Sequence, residues 1–196
     1  MPVDEKAPVG SKPLNSIIRI QGTLSEIVMS RDGMLIRRIS ANEVDVFRRI
    51  RLEALQTEPS SFASRYEDWV DLPVEEWRQR LLDPVFVAFS RDEPVGIIGL
   101  LRQSPSKMAH RATLVMVYLR ASFRGTGLAK DLLDAVVDFA RGQGILQLEL
   151  AVSAENPGAI GFYLREGFSE VGRIPGGLLD GGREIDDILM ARRLSK

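Results

Sequence analysis

The chain has 196 residues, 44% of them hydrophobic, which suffices for one domain with a sizeable core and is too little for two large ones. Lysine and arginine total 26 against 27 aspartate and glutamate, a net charge of −1, so no global field draws nucleic acid or an anionic membrane. The lack of cysteine excludes disulfides, thiolate metal ligands and a cysteine nucleophile. With one histidine, His110, a zinc site or a Ser-His-Asp triad would need unusual help, and no metal is expected.

Residues 1–33 read as a tail, either disordered or an extension upstream of a second plausible start at Met34, with an extra strand within IIRIQGTLSEIVMS as the alternative. The opening MPVDEKAPVGSKPLNS is Pro-rich and polar where a signal peptide is apolar, and no apolar run approaches the roughly 18 residues of a membrane helix. A cytoplasmic address follows by default, and residues 34–196 are expected to form the domain.

From Leu35 the pattern alternates in type. LIRRI is a short strand, after which Ser40 is expected to cap a helix where Val44, Phe47, Ile50 or Arg51, and Leu55 recur at helical spacing. Pro59 and its serines close that helix. VEEWRQRLL, after Pro73, predicts a second one, with acids in its first turn and arginines later, as the helix dipole favours. VFVAFS (85–90), VGIIGLLRQ (95–103) and ATLVMVYLR (112–120), separated by turn signals, predict an antiparallel meander. Residues 126–141 predict an amphipathic helix with Leu128, Leu132, Val136 and Phe139 on one face, stopped by Gly142 and Gly144. A strand at 146–152, a helix begun by Pro157, a strand SEVGRI, the glycine-rich GGLLDGG (176–182) and a last strand REIDDILMARRL complete a mixed α/β pattern around one sheet.

Between the third strand of the meander and the next helix stands FRGTGLA (123–129). A helix start offers unpaired N–H groups and partial positive charge, and glycine lets an anion approach the backbone, so a strand leading through glycines into a helix reads as an anion site with Arg124 as an added cation. The spacing fits neither the P-loop nor the dinucleotide fingerprint. Taken alone it is equally a tight left-handed turn. After the next strand comes a second pattern, N-x-x-A-x-x-F-Y-x-x-x-G-F, running from Asn156 through Ala159, Phe162 and Tyr163 to Gly167 and Phe168.

These two motifs, in this order and separated by one helix and one strand, resemble the GCN5-related N-acetyltransferase superfamily over about residues 35–194. The resemblance implies a single-domain acetyltransferase fold, mixed α/β, with a central, mostly antiparallel sheet splayed at the acyl-CoA site and flanked by helices. It also implies that the backbone of Val117, Tyr118 and Leu119 pairs with the pantetheine arm of acetyl-CoA. The pyrophosphate would then lie on Arg124, Gly125, Thr126, Gly127, Leu128, Ala129 and Lys130. Asn156 matches the asparagine near the cofactor, with helix capping as an equal and compatible role. Tyr163 matches the usual general acid; apart from the motif, a core tyrosine would be the plainer reading.

The chemistry suits those types. A departing thiolate whose acid has a pKa of about 8.5 can take a proton from a phenol of about 10 at small thermodynamic cost. No base carries over, because the glutamate that one branch places five residues before the asparagine is here Ala151. Glu67, Asp68, Glu149 and His110 are the candidates, Glu149 and His110 reading more plainly as a solvent-facing strand residue and a loop histidine. Acceptor choice in the family commonly falls to the segment after the first helix and to the last hairpin, here 59–69 and 176–182. The expectation is acetyl transfer from acetyl-CoA to a primary amine, of a small molecule or of a peptide or protein, by direct attack. The rivals are transfer of a larger acyl group and a non-catalytic acyl-CoA sensor. No nucleic acid or membrane partner is expected, and the chain would be a monomer or homodimer.

Overall fold

The computed structural model describes residues 27–29 and 34–194. Most of the expected tail therefore lies outside the described residues; its strand alternative is represented by β1 (Ile27–Met29), which pairs antiparallel with β2 (Met34–Arg38). The remaining elements are α1 (Val44–Thr57), α2 (Glu67–Val70), α3 (Val74–Arg80), β3 (Val85–Ser90), β4 (Glu93–Arg102), β5 (Arg111–Leu119), α4 (Leu128–Gly142), β6 (Gln147–Ser153), α5 (Pro157–Arg165), β7 (Ser169–Asp180) and β8 (Arg183–Arg193). They build one sheet in the order β1-β2-β3-β4-β5-β6-β8-β7, antiparallel throughout except between β5 and β6. No helix among the described residues is long and apolar enough to cross a membrane.

The middle strands β3 and β4 are apolar through their interiors, over 85–89 and 94–101, because both faces of the sheet are covered there. In β3, Phe86 and Ala88 face α4, packing with Leu132, Leu133 and Val136, whereas Val85, Val87 and Phe89 face α1 and α3, packing with Phe47, Ile50 and Trp77. Helix α1 buries the predicted stripe, and Arg51 lies in that stripe, only 3% exposed. Trp69, Trp77 and Phe47 meet edge-on or tilted at 5.2–6.2 Å and fix α2 and α3 to α1.

Three boundaries differ from expectation. Helix α1 starts at Val44, three residues later than the Ser40 cap implied, because the Ser40 hydroxyl and N–H both turn to the Glu43 carboxylate, at 3.1 and 2.9 Å. That is half of a capping box without the serine cap. Helix α2 is an unpredicted single turn inside the segment read as irregular; Asp68 accepts the Arg65 N–H at 2.7 Å and sets it. The stretch 176–180, expected to be a loop, continues β7, so the hairpin turn is only Gly181-Gly182. Both glycines are left-handed, φ 57° and 84°, the conformation that a two-residue hairpin of this twist demands.

Candidate active site

The parallel pairing of β5 with β6 lasts only from Arg111–Gln147 to Thr113–Glu149, after which the strands part. On its other edge β5 stays bonded to β4, but between the pairs Tyr118–Ile97 and Val115–Gly99 it carries one extra residue. Met116 takes up that residue with φ 55°, a left-handed conformation that a non-glycine side chain adopts at a cost of about 1–2 kcal/mol. Gly99 makes the bulge possible, since a Cβ there would come within 2.5 Å of Met116 Cε and 2.9 Å of Val115 Cγ2. Bulge and splay together re-aim β5 away from β6 and open a cleft of about 840 Å³ between them.

Of the residues expected to bind cofactor, Val117, Tyr118 and Leu119 form one wall of this cleft, with the β5 edge facing β6 left unpaired. Arg124, Gly125 and Ala129 stand at its end, and Asn156 and Tyr163 on the side of α5. The structure brings these together. Thr126, Gly127, Leu128 and Lys130 are not among the cleft-lining residues and belong to the start of α4. Gly127 is the N-cap of α4 with φ 96°, Gly125 has φ 77°, and a Cβ at either would meet nothing within 4 Å. Helix start and glycine backbone thus face open space, as an anion cradle requires.

Several side chains are otherwise engaged. Arg124 donates to Glu58 at 2.6 Å and to the Leu119 carbonyl at 3.1 Å, so its charge is already shared with a carboxylate. Lys130 is paired with Asp134 at 2.6 Å, the Thr126 hydroxyl donates to the Phe123 carbonyl at 2.7 Å, and the Leu128 side chain is core. What this loop offers an anion is chiefly backbone. Asn156 caps α5, its Oδ1 accepting from the Ala159 N–H at 3.0 Å, while its Nδ2 donates to Ser61 Oγ at 3.2 Å. It thereby ties α5 to the segment after α1.

Tyr163 is 6% exposed, packs against Phe162 and Phe168, and lines the cleft beside Leu150 and Val152 of β6. Burial pushes its phenol well above the ordinary value, so at neutral pH it keeps the proton that a general acid needs. Tyr118, by contrast, has partners: its hydroxyl donates to Glu53 at 3.1 Å, and Glu53 also receives two bonds from Arg120 at 2.5 and 2.6 Å. Burial pushes the Glu53 carboxyl up, but the Arg120 and Tyr118 hydrogen bonds outweigh it, and the net shift is downward. This network joins α1 to the end of β5. It went unremarked in the sequence, where Glu53 and Arg120 are ordinary surface residue types.

The candidate bases are dispersed. Glu149 is clamped by two hydrogen bonds from Arg111 and one from Gln147, which hold its carboxyl below the ordinary value. His110 is exposed at the start of β5, and Asp68 is spent on α2. Glu67 lines a separate hollow of about 520 Å³ between the 59–67 segment and the β7–β8 hairpin, where Leu178, Leu179 and Asp180 form the far side. Phe62 and Ala63 line both this hollow and the cleft, so the two spaces abut there.

Residues 50–168, more than half of the chain, match the sequence profile of the Acetyltransferase (GNAT) family. Among curated proteins, an uncharacterized N-acetyltransferase of Methanocaldococcus jannaschii is 26% identical over 159 residues, covering 80% of this chain and 70% of the relative. A GNAT-family acetyltransferase from Streptococcus pneumoniae superposes with a TM-score of 0.72 at 22% identity, over 83% of this chain and 99% of the other. A putative acetyltransferase from Salmonella typhimurium, solved with acetyl-CoA, gives 0.68 at 19% identity, over 83% and 95%. The bulged and splayed sheet, the glycine-led helix and these likenesses agree: the chain belongs to the GNAT acetyltransferase family and is an acyltransferase.

Proposed function

We propose that this chain transfers the acetyl group of acetyl-CoA to a primary amine by direct attack. The observation that carries this reading is the placement of Tyr163, a buried phenol protonated at neutral pH, in the cleft between β5 and β6, with the N-terminus of α4 at the far end. The unpaired edge of β5 at Val117–Leu119 fits a pantetheine arm, and the backbone around Gly125 and Gly127 fits a diphosphate. The likeness to an acetyl-CoA-bound structure supports the same occupant.

The amine nitrogen bonds to the acetyl carbon, the carbon–sulfur bond breaks, the sulfur takes the Tyr163 proton, and the ammonium proton leaves to water in the cleft. The phenol is then reprotonated from solvent. Because burial raises the phenol, its proton transfer to an ordinary thiolate is more uphill than free tyrosine would suggest, and the match improves only as acetyl-CoA excludes water from the cleft. With Glu149 clamped and His110 remote, an amine that is already partly neutral at pH 7 suits this site better than a lysine side chain. An α-amine near pKa 8 costs about 1–1.5 kcal/mol to deprotonate, whereas a lysine-like amine costs about 4–5.

The test is CoA release and acetyl-product formation over a panel of amines, amino acids, peptides and aminoglycosides. Transfer to at least one amine, dependent on acetyl-CoA, is expected. Tight acetyl-CoA binding with no transfer to any acceptor would replace this reading with a sensor.

A further inference from the structure

Arg51 is the least explained charge among the described residues. It sits in the buried stripe of α1, 3% exposed, with its guanidinium carbon over the Phe62 ring at 4.7 Å and over the Trp69 ring at 4.6 Å. Its Nε and Nη1 groups are buried without a hydrogen-bond partner. Neighbouring cations are treated differently: Arg80, on Trp69 at 4.8 Å, bonds the Glu76 carboxylate and carbonyl, and Arg124 holds Glu58. Two aromatic faces offset part of the cost of burying a cation, but unmade hydrogen bonds from a buried charge are worth several kcal/mol. Burial pushes the Arg51 guanidinium down to about 10, which still leaves it charged at neutral pH.

Arg51 also lines the cleft, on the α1 face of the sheet and together with Met116 of the β5 bulge. Phe62, which stacks on it, is shared with the hollow under the β7–β8 hairpin, so a small molecule passing from that hollow toward the bulge meets Arg51. A guanidinium held over aromatic rings donates through its edge, a planar fork matched to a carboxylate.

We propose that Arg51 is a specificity residue that binds the carboxylate of the acceptor, so that the amine acetylated by this enzyme belongs to an amino acid. This rests on the acetyl-transfer reading above. A carboxylate on the Nε–Nη2 side or the Nη1–Nη2 end would satisfy one of the two donors left unpaired in the fold, and the Phe62 segment would yield to admit it.

Matched pairs test this: amino acids and their amides, each assayed for acetyl transfer with the parent, Arg51→Met and Arg51→Lys. The amides keep an amine, and a more neutral one at pH 7, so chemistry alone favours them. The parent should prefer the acids by about 10-fold or more in kcat/KM, as removal of a charge-assisted contact commonly produces. Arg51→Met should erase that preference through acceptor KM, with acetyl-CoA KM and turnover of amides kept; Arg51→Lys should retain part of it. Should Arg51→Met fail to fold, the acid-to-amide ratio of the parent and of Arg51→Lys decides. Equal ratios in parent and variants, or a parent that prefers amides, overturn the subsite while leaving acetyl transfer standing. No transfer to any acid or amide overturns both.

Discussion

The two halves of the cleft are built from different material. The half toward α4 is backbone: the unpaired edge of β5, two left-handed glycines and a helix start, with most nearby charges already paired. The half toward α1 is side chain: Arg51 of α1 lies over the rings of Phe62, in the segment after α1, and Trp69 of α2. Backbone recognition asks for the same groups whatever the rest of the chain does, and suits a cosubstrate. Side-chain recognition is assembled by packing and can be changed one residue at a time, which suits the acceptor.

The largest expected effect breaks the backbone half. Gly127→Asp puts an L residue at φ 96° and an anion at the proposed phosphate seat, so CoA affinity measured by calorimetry on folded protein should fall by about 10²-fold or more. Gly127→Ala meets no steric obstacle, because a Cβ there has open space, and should show only the backbone strain of about 1–2 kcal/mol. If the two variants bind CoA alike and as well as the parent, the helix start is a turn and nothing else.

The next effect concerns what joins the halves. Glu53→Gln weakens the link from α1 to Tyr118 and Arg120 and should lower stability by about 1–2 kcal/mol at pH 7. The Glu53 carboxyl is depressed in the fold, so its contribution is present above the ordinary carboxylate value of about 4.3 and is lost as pH falls through the folded value. Parent and variant melting temperatures should therefore converge in acid. A constant gap from pH 7 to pH 3 would assign the loss to packing.

These halves were unequally legible in the sequence. The glycines at 125 and 127, the Asn156 cap and the Tyr163 motif are local signals, because each meets a backbone need within a few residues of itself. The meander of β3, β4 and β5 was legible for the same reason, as apolar runs bounded by turns. Arg51 had a signal too, a charge at a core position of the α1 stripe, but spacing cannot say whether such a residue snorkels to solvent or stays unpaired. The splay was implied only by family resemblance and the Met116 bulge was not anticipated, since both arise from the register of β5 against β4 and β6. Residues 176–180 misled because glycine content signals a loop, whereas here Leu178, Leu179 and Asp180 pair with β8 and the Gly176 N–H donates to the Asp186 carboxylate.

Smaller effects sharpen the side-chain half. Leu179 is 67% exposed and lines the hollow under the hairpin, so Leu179→Ser should leave stability within about 0.5 kcal/mol and raise acceptor KM about threefold, with acetyl-CoA KM unchanged. Equal changes in both constants would make the hairpin a plain connector. The smallest effect is an absence of change. Because burial raises the Tyr163 phenol, its donor form persists past the ordinary value of about 10, and kcat of the parent should show no fall between pH 8 and roughly 10 that Tyr163→Phe lacks. A fall near pH 9 confined to the parent would mean the hydroxyl titrates in a wetter site.

The most direct test of the account is single-turnover acetyl transfer by Tyr163→Phe, with enzyme-bound acetyl-CoA mixed against the best acceptor at saturation. The ring and its packing on Phe162 and Phe168 are kept, so CoA affinity and melting temperature should stay near the parent's while the transfer rate falls about 10²-fold. A parental rate in that experiment would make Tyr163 a packing residue and leave the departing thiolate to water.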